Sequence, residues 1–330
     1  TTMRQGLTLW GTGDLRLPDW TTRMRPDFDN LRAALDWAVN TNPNLGLALT
    51  VDMAAVFAYA GNYNEMRERL YTARAAVDAL PTDEDPAARE TQQWLLINSL
   101  ILITSALVSL GKNVEALEIR DQAVAKARAL GKKFEPALAS AIVIGIGTSI
   151  LIGELGMAEQ SDEALEILTR LDFPLATFMP LAVLAREALF AGDMATANDL
   201  LGRALDIVKQ LKSAFWLGLA ALSVSRLSLV MSRPDDARAL LEHGYQVLQD
   251  QGYPILALAV ASDLGHLARR QGDLDKAESI YCQTIPKWLD FGHRAGLANQ
   301  LECYAFLAVH RGQLDRAATL VCGDTTPTPK

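Results

Sequence analysis

One repeat constrains this chain more than any other feature. Four segments align at intervals of 40 residues: GDMATANDLLGRAL from Gly192, SRPDDARALLEHGY from Ser232, GDLDKAESIYCQTI from Gly272 and GQLDRAATLV from Gly312. Ala197, Ala237, Ala277 and Ala317 hold the same place in each copy, and Leu200, Leu240, Ile280 and Leu320 follow three residues on. A fixed period of this length means one supersecondary unit stacked many times, each copy burying its apolar stripe only against its neighbours. The Leu/Ile column is therefore expected to be buried.

A second column precedes each copy: Ala185, Ser225, Gly265 and Ala305, following Leu184, Val224, Leu264 and Tyr304. Small residues at a fixed point let two helices approach closely while the large neighbours fill the adjacent groove. The Gly-Asp turns supply a left-handed reversal and an Asp able to cap the next helix. Looser copies begin at Gly61, at Gly111 with Ala116 and Ala123 in register, and around Ala164. Helical periodicity runs from Asp27 to Val321 and no strand-period segment of useful length interrupts it. The expected architecture is an all-α, right-handed superhelical solenoid of roughly seven helix pairs. Residues 1–26 read as a linker, 27–322 as the solenoid and 323–330 (GDTTPTPK) as a disordered tail.

Composition then excludes several function classes. A net charge of −8 without basic clusters argues against nucleic acid or an anionic membrane surface as a direct partner. Three widely spaced cysteines (Cys282, Cys303, Cys322) form neither a disulfide framework nor a zinc motif, which suits a reducing cytoplasm. Residues 94–110 and 137–153 carry no charge, at the lower edge of membrane-spanning length; the amphipathic segment between them favours buried solenoid helices over a membrane hairpin.

The columns resemble the tetratricopeptide repeat, and the 40-residue period resembles its longer variant in bacterial signal-transduction ATPases of the STAND class and in LuxR-type transcriptional regulators. FDNLRAALDWAV looks like the segment that opens the sensor solenoid of such regulators, after the winged-helix part of the ATPase module. FGHRAGLANQLECYAFLAVHRGQLDRAATLV looks like its final repeats. The resemblance implies a sensor domain controlling an attached ATPase and output module. The chain itself holds no G-x-x-x-x-G-K-[ST] loop. The opening helix has its own local logic. Pro26 blocks continuation backwards, Asp27 and Asp29 are placed to cap, and Arg32 and Asp36 are spaced for an i,i+4 pair.

For chemistry, four scattered histidines show no i,i+4 pairing with a carboxylate, and neither a G-x-S-x-G elbow nor a nucleophile–base pair stands out. Cys303 reads as a small core residue. Neither enzymatic activity nor a metal or cofactor is expected. Binding is. In paired-helix solenoids the first helix of each pair lines the concave groove. One inward column contains Arg186, Arg226, His266 and Phe306; a second contains Leu222, Ser262 and Glu302, with Asn299 a turn away. Asn98, Ser105 and Ser149 are comparable earlier positions. Arg186, Arg226 and His266 could form a cationic ladder for a carboxylate or phosphate, or else pair with local acids. Trp94, Trp216 and Tyr304 fall at core spacing, with Trp216 placed at the mouth of the groove beside Arg226; Ile101 and Ile146 could make the N-terminal half greasy. The functional expectation is a domain that binds an effector or a protein segment in its groove, the alternative being a pure assembly scaffold that self-associates.

Overall fold

The computed structural model describes residues 25–81, 85–152, 156–211 and 214–322. The N-terminal segment 1–24 and the tail 323–330 lie outside the described residues. Fifteen α-helices, and no strand, occur among the described residues. Helix α1 (Phe28–Thr41) precedes seven consecutive pairs: α2 (Pro43–Tyr59) with α3 (Tyr63–Asp78), α4 (Pro86–Ser109) with α5 (Asn113–Ala129), and α6 (Glu135–Ile152) with α7 (Ala158–Arg170). They continue as α8 (Phe178–Phe190) with α9 (Met194–Val208), α10 (Ala214–Val230) with α11 (Pro234–Asp250), α12 (Pro254–Arg270) with α13 (Leu274–Asp290), and α14 (Arg294–His310) with α15 (Leu314–Cys322). The chain is an all-α solenoid of tetratricopeptide-like helix pairs. Each first helix packs on the next first helix, whereas the second helices from α3 onward pack mainly on first helices. The first helices therefore form an inner layer and the second helices an outer one.

The turns follow from backbone sterics. Gly192, Gly272 and Gly312 stand at φ of 83°, 83° and 71°, a region closed to most side chains because the β-carbon meets the following carbonyl. Ser232 occupies the same place in the copy without glycine, at φ 60°. Asp193 and Asp273 accept the N–H groups of Thr196 (3.0 Å) and Lys276 (3.1 Å), each satisfying an orphan donor of the next helix.

Packing corrects one sequence expectation by a single residue. The alanine column is buried as expected, and so is Leu240, but Leu200, Ile280 and Leu320 are half-buried; in the first three copies the residue with no exposure is the next one, Leu201, Leu241 and Tyr281, whereas Val321 of the fourth copy is exposed. Tyr281 fits because Gly265 faces it: a β-carbon on Gly265 would stand 2.6 Å from Tyr281 Cε1. Two other copies pair a larger small-column residue, Ala185 or Ser225, with a leucine.

The solenoid coils back on itself. Helix α14 touches α4, the His293 and Tyr63 rings meet edge to face at 5.6 Å, and a β-carbon on Gly61 would stand 3.0 Å from Phe291 O. The sixth and seventh pairs thus close against the first two.

Two further expectations resolve here. Helix α4 is long and apolar enough to cross a membrane, but 67% of its apolar window is buried inside the fold by neighbouring helices. In α1 the expected Arg32–Asp36 pair does not form. Arg32 binds Asp29 (2.9 Å) and, by two nitrogens, Glu65 of α3 (2.7 and 2.9 Å), while Asp36 binds Arg69 (2.7 Å). A planar guanidinium satisfied by both oxygens of one carboxylate outcompetes a single local contact. Asp27 stands at the N-cap position without a side-chain cap bond.

Candidate functional site

The inner helices α10, α12 and α14 bring a polar array together. Arg226 donates from Nε and Nη2 to the two carboxylate oxygens of Asp263 (2.8 and 2.9 Å). The Asp263 side chain is only 4% exposed, so it needs this counterion; in turn the Asp263 charge raises the Arg226 guanidinium pKa. His266 lies between Tyr281, whose hydroxyl is 3.0 Å from Nδ1, and Asn299, whose Oδ1 is 3.1 Å from Nε2. Burial lowers the His266 pKa, opposed by the nearby Asp263 charge. A neutral imidazole satisfies both neighbours in one tautomer: Tyr281 O–H donates to Nδ1 and Nε2–H donates to Asn299. Burial also raises the Tyr281 pKa, with the Arg269 guanidinium opposing it. Arg269 lies over the Phe306 ring, 5.4 Å from its centroid, and Phe306 is 47% exposed.

These contacts share one offset. Arg226 with Asp263, His266 with Cys303 and Arg269 with Phe306 are each separated by 37 residues, one period less about one helical turn. Side chains lean toward the N-terminus of their helix, so an inner residue meets the residue a turn earlier on the next inner helix. Of the expected ladder, Arg226 and His266 bridge successive inner helices, Arg226 engaging Asp263 through Nε and Nη2 and His266 meeting Asn299. Arg186, on α8, pairs with its neighbour Glu187 at 3.6 Å, and the residue 37 positions on is Ser223, not a carboxylate.

Cys303 Sγ stands 3.6 Å from His266 Nε2, a thiol–imidazole approach the sequence reading missed because the partners sit on different repeats. Burial pushes the thiol up to about 11 and holds the imidazole below its ordinary value. Both are neutral near pH 7, so the pair is not a thiolate nucleophile with its base. Among the described residues no group of three His, Cys, Asp or Glu is arranged to hold a metal ion.

The remaining expected site residues divide. Asn299 and Glu302 are exposed on α14. Ser262 is buried, accepting from Trp288 Nε1 at 3.1 Å, and so belongs to the core. Ser149 is likewise fully buried. Trp216 does not stand at the mouth beside Arg226. It is buried and packs edge to face against Phe178 at 6.0 Å, because the apolar surroundings of the N-terminal half take up its ring. Trp216 and Asn98 line one apolar hollow of about 60 Å³ with Trp94 and Val143; the Asn98 amide donates to Trp94 O at 3.0 Å. A larger open cleft of about 700 Å³ runs between outer helices α11 and α13, past Tyr245, Gln283 and Lys287. It does not include the polar array. The partners Asp263, Arg269 and Cys303 become readable in sequence only through the 37-residue offset.

No family model and no curated protein matches the sequence. Among solved structures, a Rap protein complexed with competence and sporulation factor superposes with a TM-score of 0.52 at 12% identity, over 84% of this chain and 85% of that one. A STAND protein with a tetratricopeptide repeat sensor from Pyrococcus horikoshii gives a TM-score of 0.45 at 13% identity, covering 93% of this chain and 45% of that one. BtubC from P. vanneervenii gives 0.44 at 15% identity, over 67% and 89%. At these identities the likeness to the Rap protein bears on the fold: a tetratricopeptide-like helical solenoid.

Proposed function

We propose that this chain is a binding domain that holds a segment of a protein or peptide partner on its inner surface, and that it is the sensor arm of a cytoplasmic signal-transduction regulator. The observation that carries the reading is the inner face of α12 and α14. Exposed Asn299, Glu302 and Phe306 stand beside Arg269 on a base made rigid by the Arg226–Asp263 and Tyr281–His266 bonds. Amide and carboxylate groups there are matched to backbone N–H and C=O groups of an extended segment, and an aromatic ring with a stacked guanidinium supplies an anchor of the kind that dominates interfaces. A fold with the same helical-repeat path carries a bound factor in the Rap complex. The interior is already committed to packing, which leaves the exposed residues of this face, rather than the bridging pairs, to recognise a partner. Binding that favours one arrangement of the coiled solenoid would pass to an attached ATPase and output module as a population shift.

The test is a selection of random heptapeptides displayed on phage against the whole chain, followed by affinity measurements on the enriched peptides. Phe306→Ala and Asn299→Ala are expected to weaken their binding at least about tenfold, the scale of an interface hot spot. Enriched peptides that bind both variants as tightly as the parent refute the reading.

A second reading has its own observation. Trp37 on α1 is 65% exposed, and Leu45 and Leu49 on α2 are also exposed, an apolar face suited to an upstream module or to another copy of the chain. Light scattering separates the two: a mass that rises with concentration, and falls back in Trp37→Glu, favours a self-assembling scaffold.

A further inference from the structure

Several turns of the solenoid face open space, but two do not. At Gly192, Gly272 and Gly312 nothing lies within 4 Å of where a β-carbon would stand. Gly61 and Gly111, in the left-handed turns of the first two pairs (φ 78° and 74°), both meet the chain that leads into α14. A β-carbon on Gly61 would stand 3.0 Å from Phe291 O, and one on Gly111 would stand 3.9 Å from Ala295 N. Between these two approaches the His293 ring meets the buried Tyr63 ring edge to face at 5.6 Å, with Trp288 of α13 behind it at 4.8 Å. Dispersion contacts of this kind vanish within an ångström or so of separation. Successive helices of the array, by contrast, pack along their length. The junction is therefore the first contact to give way, with the repeats still folded.

His293 sets the state of the junction. It is the N-cap of α14, and its Nδ1 accepts from Gly296 N–H at 2.9 Å. Only the neutral imidazole keeps a lone pair on that nitrogen. A proton there would set two donors face to face and put a cation at the positive end of the α14 dipole. Burial accordingly holds the His293 pKa at about 4. The titratable group facing the ring from α3 is the Tyr63 phenol, which stays neutral because burial pushes it up to about 12. The charged groups on the adjoining elements are Lys287 and Asp290 on α13, Arg294 on α14, Lys112 in the α4–α5 turn and Glu65 on α3, while α4 carries none after Glu90. None of them contributes to the His293 shift, which comes from burial opposed by a backbone hydrogen bond. Protons therefore favour whichever arrangement returns the ring to water.

We propose that this junction is a latch: the α13–α14 turn, with the neutral His293 ring set between Trp288 and Tyr63, holds the solenoid coiled, and it releases as a unit, with every helix pair intact, when the turn is displaced or the ring is protonated. The chain then has two arrangements that share their helix pairs and differ in whether the last pairs touch the first two. Helix α14 carries the latch at its first turn and Asn299 and Phe306 further along, so any partner on that face would sit on the element that moves. The latch itself belongs to the chain alone and does not rest on the partner-binding reading.

The experiment is double electron–electron resonance between spin labels on Glu68→Cys of α3 and Lys276→Cys of α13, both exposed and on opposite sides of the junction. The whole chain is used, with Cys282→Ser and Cys322→Ser and the buried Cys303 left in place. At neutral pH one distance is expected. Gly61→Ala is expected to shift most molecules to a longer one, because its β-carbon displaces Phe291 O. Gly192→Ala strains a turn at a similar left-handed φ with nothing to displace, and is expected to keep the single distance. Lowering the pH of the parent toward 4 is expected to bring up the same longer distance while helical circular dichroism holds. In His293→Asn, which retains a capping side chain but does not titrate, the proportions are expected not to change with pH. The proposal is overturned if Gly61→Ala keeps the parent's distance, if Gly192→Ala lengthens it equally, or if acid lengthens it only as the helical signal is lost. Should Gly61→Ala fail to fold, the acid series on the parent and on His293→Asn decides by the same criteria. No peptide enters these measurements, so a failed latch leaves the inner-surface reading standing, and a failed peptide selection leaves the latch.

Discussion

Gly265→Ala is the perturbation for which helix propensity and packing give opposite signs. An alanine in place of a glycine within a helix gains about 1 kcal/mol from propensity alone. At this position the added β-carbon would stand 2.6 Å from Tyr281 Cε1 and 3.1 Å from both Tyr281 Cδ1 and Ile280 Cγ2. Tyr281 has no exposed surface, and its hydroxyl is tied to His266 Nδ1 at 3.0 Å, so the ring has nowhere to swing. Overpacking of this kind costs about 1–3 kcal/mol. The 2.6 Å approach to a ring that cannot move puts the cost in the upper part of that range, about 2–3 kcal/mol, and leaves a net loss of about 1–2 kcal/mol once the propensity gain is subtracted. Tyr281→Leu alone also destabilises, because it opens a cavity and removes the partner of His266. Together the two changes recreate the Ala185/Leu201 pairing of an earlier repeat, and their combined cost should fall below the sum by at least about 1 kcal/mol. Urea unfolding followed by helical circular dichroism, at unchanged m, gives all four corners of the cycle. The reasoning fails if Gly265→Ala is as stable as the parent, or if the two changes simply add.

Ser232→Gly is expected to raise stability by about 1 kcal/mol, since Ser232 holds a left-handed φ of 60° that glycine adopts freely; thermal melting checks it, and a loss would contradict the turn analysis. Arg226→Ala strands the buried Asp263 carboxylate and should cost about 2–4 kcal/mol, softened because the Arg226 side chain is 35% exposed; Asp263→Asn in the same chain should recover part of it in urea titrations. Burial places the His293 pKa at about 4 in the folded chain, below the ordinary value near 6.5, and Nδ1 accepts from Gly296 N–H at 2.9 Å. The folded state therefore takes up this proton later than the unfolded one. The His293 contribution is fully present above about pH 6.5, is lost as pH falls toward 4, and amounts to about 3 kcal/mol. His293→Asn, which keeps a capping side chain, should flatten that slope, and because His293 meets Tyr63 where the coil closes, acid should also enlarge the radius of gyration seen by small-angle scattering. Finally, the buried Cys303 thiol, pushed up to about 11, should alkylate far more slowly than exposed Cys282; peptide mass spectrometry orders the two.

The repeat was legible because its requirements are local. A left-handed turn needs glycine or a strained substitute, and the copies at Gly192, Gly272 and Gly312 announce it while Ser232 tolerates it. Column identity was less secure: Leu200 and Leu201 both lie within the apolar stripe, and only the approach of the next helix decides which is fully enclosed. The site was legible as a helix face but not as a set of partners. Arg226 and His266 could be placed on inner helices from period alone. That Asp263 would hold the guanidinium, and Cys303 approach the imidazole, depends on the stagger between successive inner helices, which no single helix encodes. Arg32 shows the same limit, since its better partner Glu65 lies 33 residues away on another helix. Trp216 was misplaced because core spacing and groove spacing coincide at a helix N-terminus, and only the Phe178 contact tells them apart.

The central claim is that a partner segment lies on the inner surface of α12 and α14. It is tested most directly by photocrosslinking a selected heptapeptide to the chain carrying benzoylphenylalanine either at Phe306 or at Leu289, an outer-layer residue that is 65% exposed. The account predicts strong, competable crosslinking from position 306 and none from 289. Crosslinking from 289 with none from 306 would contradict it.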